Sequence, residues 1–130
     1  MDRFNSMFIT MSNERDPIWY YNVSDGDLKI DVHVQSISFE LGKHIFIMSA
    51  KTDNGTNLLS SEPMEIVTNN QQPVFVDSDK NTFGAGEFIF YIEMTKDDIS
   101  KIGKHLTINV KMDDKVEGTF VLLMRNDNNG

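Results

Sequence analysis

The chain predicts an all-β fold, an immunoglobulin-like antiparallel β-sandwich of about seven or eight strands with one short helical turn near 95–102. Three observations predict it. Twelve Ile, nine Val, nine Phe and eight Thr stand against two Ala, a balance that suits pleated, half-buried surfaces better than helices. Apolar residues recur at every second position in several stretches, the period of a strand with one face on a core. Turn-forming clusters of Asp, Asn, Gly and Pro separate those stretches at short intervals, and one helix-start signature appears late in the chain.

Leu28, Ile30, Val32 and Val34 alternate with Lys29, Asp31, His33 and Gln35, which describes a strand with one wet face. Ile45-Phe46-Ile47-Met48 is apolar at consecutive positions, as in a central strand, and Asp53-Asn54-Gly55 then turns the chain back. Met64–Thr68 and Val74–Val76 read as short strands on either side of a polar loop ending in Pro73. The stretch from Asp77 to Gly86 reads as a glycine-containing loop. Beyond it Phe88, Phe90, Ile92 and Met94 share a core face. Thr95 stands three residues before Asp98, the spacing of a capping box, and Gly103 ends the helical turn that Ile99 and Ile102 anchor. Leu106, Ile108, Val110 and Met112, then Val116, Gly118, Phe120, Leu122 and Met124, form a closing hairpin around Asp113-Asp114-Lys115.

Three segments follow: 1–16 as an N-terminal arm or edge strand, 17–124 as the sandwich, and 125–130 as a tail expected to fray. The arm carries Phe4, Met7, Phe8, Ile9 and Met11 ahead of a polar run, which suits either an edge strand or a segment that docks a partner. Removing 1–16 is expected to leave the sandwich folded.

At 130 residues, one core closes without covalent staples. The absence of cysteine excludes a disulfide framework and a thiol nucleophile. A net charge of −8 argues against a nucleic-acid partner, and no apolar run is long enough for a helical membrane span. The opening residues lack a basic region followed by a long apolar stretch, so no export by a signal peptide is expected.

No residue pattern specifies a reaction, and the expectation is a non-enzymatic protein without a cofactor. His33, His44 and His105 are too scattered to define a metal site, although Asp31 and His33 share a strand face. Asp77, Asp79 and Asn81 begin like a calcium loop, but Thr82 stands where glycine is wanted and Phe88 where the closing glutamate belongs. An ordinary acidic loop is the better reading, to which Asp25, Asp27 and Asp31 would add only through a contact made by the fold. No serine sits in a nucleophile elbow, and the Asp97-Asp98 and Asp113-Asp114 pairs fall in caps and turns. Trp19, Tyr20 and Tyr21 form the aromatic cluster. At least one must point inward, and those pointing outward suit a sugar platform or a protein interface.

One resemblance joins these pieces. Ser24-Asp25-Gly26-Asp27 leading into the strand to Val32, the strand from Ile45 to Ala50, the Asp53-Asn54-Gly55 turn, and Gly86 to Met94 followed by the helical turn and hairpin resemble the N-terminal domain of phage baseplate upper proteins and related small tail modules. The resemblance spans Asp25 to Met124. It implies a virion component, assembled in the host cytoplasm, whose sandwich docks on other virion structural proteins; a homo-oligomer is expected, and the apolar residues of 1–16 and the aromatic cluster, Phe4, Met7, Phe8, Ile9, Met11, Trp19, Tyr20 and Tyr21, are the interface candidates. The alternative is a carbohydrate-binding or adhesive β-sandwich that uses the aromatic cluster.

Overall fold

A computed structural model of the chain describes residues 3–68, 74–76 and 82–126. Eleven strands appear among them: β1 (Arg3–Met11), β2 (Pro17–Ile18), β3 (Tyr20–Asn22), β4 (Leu28–Glu40), β5 (Gly42–Lys51), β6 (Asn57–Ser60), β7 (Met64–Thr68), β8 (Val74–Val76), β9 (Thr82–Met94), β10 (His105–Met112) and β11 (Val116–Arg125). One sheet runs β2-β1-β4-β9-β8. The other runs β3-β11-β10-β5-β6, with β7 also paired to β5. The all-β, immunoglobulin-like sandwich is therefore what the chain forms. The strands outnumber the seven or eight expected because short flanking pieces count separately: β6 and β7 pair with different parts of β5, on either side of Pro63. One pair, β3 with β11, is parallel.

The period-two stretches supply the core. Leu28, Ile30, Val32 and Val34 from β4 and Phe88, Phe90, Ile92 and Met94 from β9 bury one face of the first sheet. Phe46, Met48 and Ala50 from β5 and Leu106, Ile108, Val110 and Met112 from β10 bury the opposing face. Phe46 binds the layers together, its ring centroid lying 4.9 Å from that of Phe88 and 5.2 Å from that of Phe90. Between β9 and β10 the chain changes sheets through α1 (Lys96–Ile99). Thr95 caps it in a full capping box with Asp98, and Ile99 and Ile102 are buried beneath the turn.

Three boundaries differ from the sequence reading. β4 continues past Gln35 to Glu40, and β9 begins at Thr82, so residues 83–86, inside the stretch expected as a loop, pair as strand with residues 36–40. Phe39, fully buried, lies opposite Gly84. Within the segment 1–16, residues 3–11 form an inner strand rather than an arm or an edge strand. β1 pairs with β4 over most of its length and lies between β4 and β2, Ile9 is fully buried, and Phe4 and Met7 reach across to Gly118 of β11. At the other end Arg125 belongs to β11 rather than to a fraying tail. Residues 127–130, assigned to that tail, lie outside the described residues. No described helix is long and apolar enough to cross a membrane.

Candidate functional site

The aromatic cluster falls where the chain steps from one sheet to the other. β2 pairs with β1 in the first sheet and β3 with β11 in the second, so Trp19 alone bridges the two edges. Its backbone is fixed, its carbonyl accepting the Leu123 amide at 2.9 Å, while its side chain is 70% exposed. The alternation of β3 then turns Tyr20 outward, at 39% exposure, and Tyr21 inward, at 4%. Trp19 and Tyr20 meet edge to face with centroids 6.4 Å apart. The guanidinium of Arg125 lies 4.6 Å from the centre of the Tyr20 ring, within cation–π range.

Tyr21 organises the neighbouring turn. Its hydroxyl donates toward the carbonyl oxygens of Gly26 and Asp27, each 3.0 Å away. The Asn22 side chain accepts the Ser24 amide at 3.1 Å and starts the single helical turn Val23–Asp25, and Gly26 leaves it at φ +93°. That fold-back sets Asp25 and Asp27 beside the aromatics. Together with Met11, Pro17 and Ile18 these residues line an open cleft of about 580 Å³, and no basic side chain is among its lining. Asp27 Oδ1 accepts the Lys96 amide at 2.8 Å, which ties the cleft to α1. Burial raises the Tyr21 pKa, and the nearby charges of Asp25 and Asp27 raise it further, so the phenol stays a donor.

The remaining residues read from the sequence as docking candidates are distributed differently. Ile9 belongs to the core, with Phe4 and Met7 packed against it, and Met11 lines the cleft. Phe8 faces outward and stacks on the His33 ring at 4.5 Å and 5°. Docking through the whole apolar set of 1–16 is thereby set aside, because most of it packs against this chain's own core. Asp77, Asp79 and Asn81 lie outside the described residues. Among the described residues no group of three or more His, Asp or Glu is placed to hold a metal ion.

Sequence reasoning missed a polar chain on the outer face of the first sheet. Thr10 Oγ1 lies 2.9 Å from His33 Nε2, and His33 Nδ1 lies 2.6 Å from Glu87 Oε1. Hydroxyl, imidazole and carboxylate follow one another as in a hydrolytic triad. Thr10 is fully buried, however, so the chain satisfies a covered hydroxyl and leaves no open path for an outside carbonyl to reach Oγ1. Its members come from β1, β4 and β9, and only strand register brings them together. His33 lies in one register row with Phe8 and Ile89, next to the row of Asp31 and Tyr91. Ile89 and Tyr91 are exposed.

No family model matches the sequence, and no curated protein matches it. Solved structures do match its fold. A bacterial adhesin from Mobiluncus mulieris, which contains intramolecular disulfide, isopeptide and ester bond cross-links, superposes with a TM-score of 0.63 at 9% identity over 95% of this chain. A second crystal form of it gives 0.61. The chain spans 57% of that adhesin's length. A Bacteroides uniformis beta-glucuronidase matches with a TM-score of 0.51 at 8% identity, over 94% of this chain and 14% of the enzyme. At such identities the likeness is one of fold. The cysteine-free chain holds this sandwich without any disulfide.

Proposed function

We propose that the chain is a non-enzymatic adhesive module whose Trp19 cleft binds carbohydrate. The observation that carries this is Trp19 itself, 70% exposed on a pinned backbone and lining a cleft that also holds Asn22, Asp25 and Asp27. An indole left in water forgoes the burial free energy its ring would gain in the core. A fixed, flat aromatic face beside hydrogen-bonding groups suits the apolar CH face and hydroxyls of a sugar. The sandwich shared with a bacterial adhesin supports the same class. The test is a glycan array probed with the intact chain and with Trp19→Ala, together with a thermal melt of each. Retention of a set of glycans by the intact chain, lost in Trp19→Ala at an unchanged melting temperature, is expected. Retention of none, or equal retention by both proteins, overturns the reading.

A second reading, a docking module of a phage particle that forms a homo-oligomer and meets other virion proteins, is favoured by the exposed Ile89 and Tyr91 beside Phe8 on the outer face of the first sheet. Mass measurement across a concentration series separates the two. A defined oligomer dispersed by Ile89→Lys supports docking, and a monomer at every concentration overturns it.

A further inference from the structure

We infer that the Trp19 cleft selects sugars that carry a positive charge, unacetylated amino sugars in particular, over their neutral and acidic counterparts. This rests on the carbohydrate reading above and goes beyond it by naming the ligand's charge. Of the titratable side chains lining the cleft, Asp25 and Asp27 are the carboxylates, and none of the lining groups is basic. Asp27 spends one oxygen on the Lys96 amide. Asp25 is exposed, lines the cleft and makes no side-chain hydrogen bond among the described residues, so its charge is not spent on a neighbour. The Tyr21 phenol in the cleft wall, its pKa raised first by burial, is raised further by the charges of Asp25 and Asp27.

The aromatic surfaces point the same way. The face of Tyr20 already accepts a cation, the guanidinium of Arg125, and indole is the stronger partner of the two ring types. A protonated amine on a pyranose stacked against Trp19 therefore gains from the ring quadrupole and from the carboxylates that line the same cleft. An N-acetylated sugar has no charge to offer either. A uronic acid is repelled by both Asp side chains and by the net charge of −8.

The test is titration calorimetry with three tetramers at a pH where the amines are protonated: β-1,4-linked glucosamine, its N-acetylated form, and galacturonic acid. The glucosamine tetramer is expected to bind tightest and the galacturonic acid tetramer not at all. Asp25→Asn is expected to cut the advantage of glucosamine over its acetylated form by about three- to fivefold, the scale of one partly solvated ion pair, and added salt to reduce it similarly. Asp25 carries no packing, so the variant is expected to melt with the parent. Equal or tighter binding of the acetylated tetramer, or an advantage unchanged in Asp25→Asn, overturns the charge selection while leaving the carbohydrate reading standing. Binding by neither tetramer overturns the selection as well, and the glycan array then decides whether the carbohydrate reading falls with it.

Discussion

The ring of Phe39 occupies the space that a side chain at Gly84 would need. The two residues face each other across β4 and β9, and a Cβ built on Gly84 would fall well inside contact distance of the Phe39 ring. Phe39 is fully buried there and also meets Phe88, with ring centroids 5.5 Å apart. The glycine is the socket and the aromatic its filling, a device that shields a bare stretch of strand. Gly84→Ala is expected to overpack the site and cost about 1–3 kcal/mol. Phe39→Ala is expected to leave a cavity and cost about 3–5 kcal/mol. Because both act on one volume, the double variant should be more stable than the sum of the two losses implies. Urea unfolding of the four proteins checks this, and simple additivity would refute the shared-volume account.

That pairing also shows why part of the fold escaped the sequence. The strands from Leu28 to Gln35, from Phe88 to Met94 and through the last hairpin alternate cleanly because one face is wet. Residues 36–40 and 82–86 do not alternate. A bulge falls between Ile37 and Phe39, Ser36 is buried although polar, and Gly84 and Gly86 carry turn chemistry while lying in a strand. β1 was obscured in the same way, since a register shift between Phe4 and Ser6 breaks its period. Of the candidate site, the aromatic triplet was legible and the inward member followed from strand geometry. The carboxylates beside it were not, because the Tyr21 hydroxyl and the Gly26 turn that place them are tertiary features.

Gly103 fixes the exit from α1. It sits at φ +90°, where a side chain is strained, and an added Cβ would meet both carboxylate oxygens of Asp53 at 2.5 Å. Those oxygens have a task, since Asp53 Oδ2 accepts the Lys104 amide at 2.9 Å. Gly103→Ala is therefore expected to lower stability by more than about 1 kcal/mol. Asp53→Ala should lower it by about 1 kcal/mol through the lost hydrogen bond. Thermal melts give the order, and a Gly103→Ala melt equal to the parent's would contradict the geometry.

Deletion of residues 1–16 is expected to abolish cooperative folding, contrary to what the sequence suggested. The cut removes β1, strips the hydrogen-bonding edge of β4 over eight paired positions, and uncovers the core beneath Ile9. Full burial of Ile9 alone is worth about 1.5–3 kcal/mol, and Phe4 and Met7 add their contacts across the sandwich to β11. A domain stable by only about 5–15 kcal/mol cannot lose a whole inner strand. A truncated chain with dispersed amide resonances and a sigmoidal melt would show that β1 is dispensable.

Asp113 gives the fold an acid-sensitive joint. It stands at φ +55° in the turn between β10 and β11, its Oδ1 accepting the Ile45 amide at 2.8 Å and its Oδ2 lying 2.6 Å from Nδ1 of the buried His44. The other nitrogen of His44 lies 2.5 Å from the Glu40 carbonyl, so both ring nitrogens are within hydrogen-bond reach of an oxygen. Partial burial alone would raise the Asp113 pKa. The Ile45 amide, His44 and the charge of Lys115 outweigh it and hold the carboxyl below its ordinary value. A carboxyl whose folded pKa lies below its unfolded one stabilises the fold fully above the unfolded value, and that contribution is lost as pH falls through the folded one. Unfolding midpoints in urea should therefore decline on acidification through and below the ordinary carboxylate range. Asp113→Asn keeps an acceptor for Ile45 but loses the charge, so it should be less stable at neutral pH and show a shallower acid decline, the two proteins converging at the lowest pH. Parallel curves, offset equally at every pH, would mean that the carboxylate's ionisation contributes nothing to the joint.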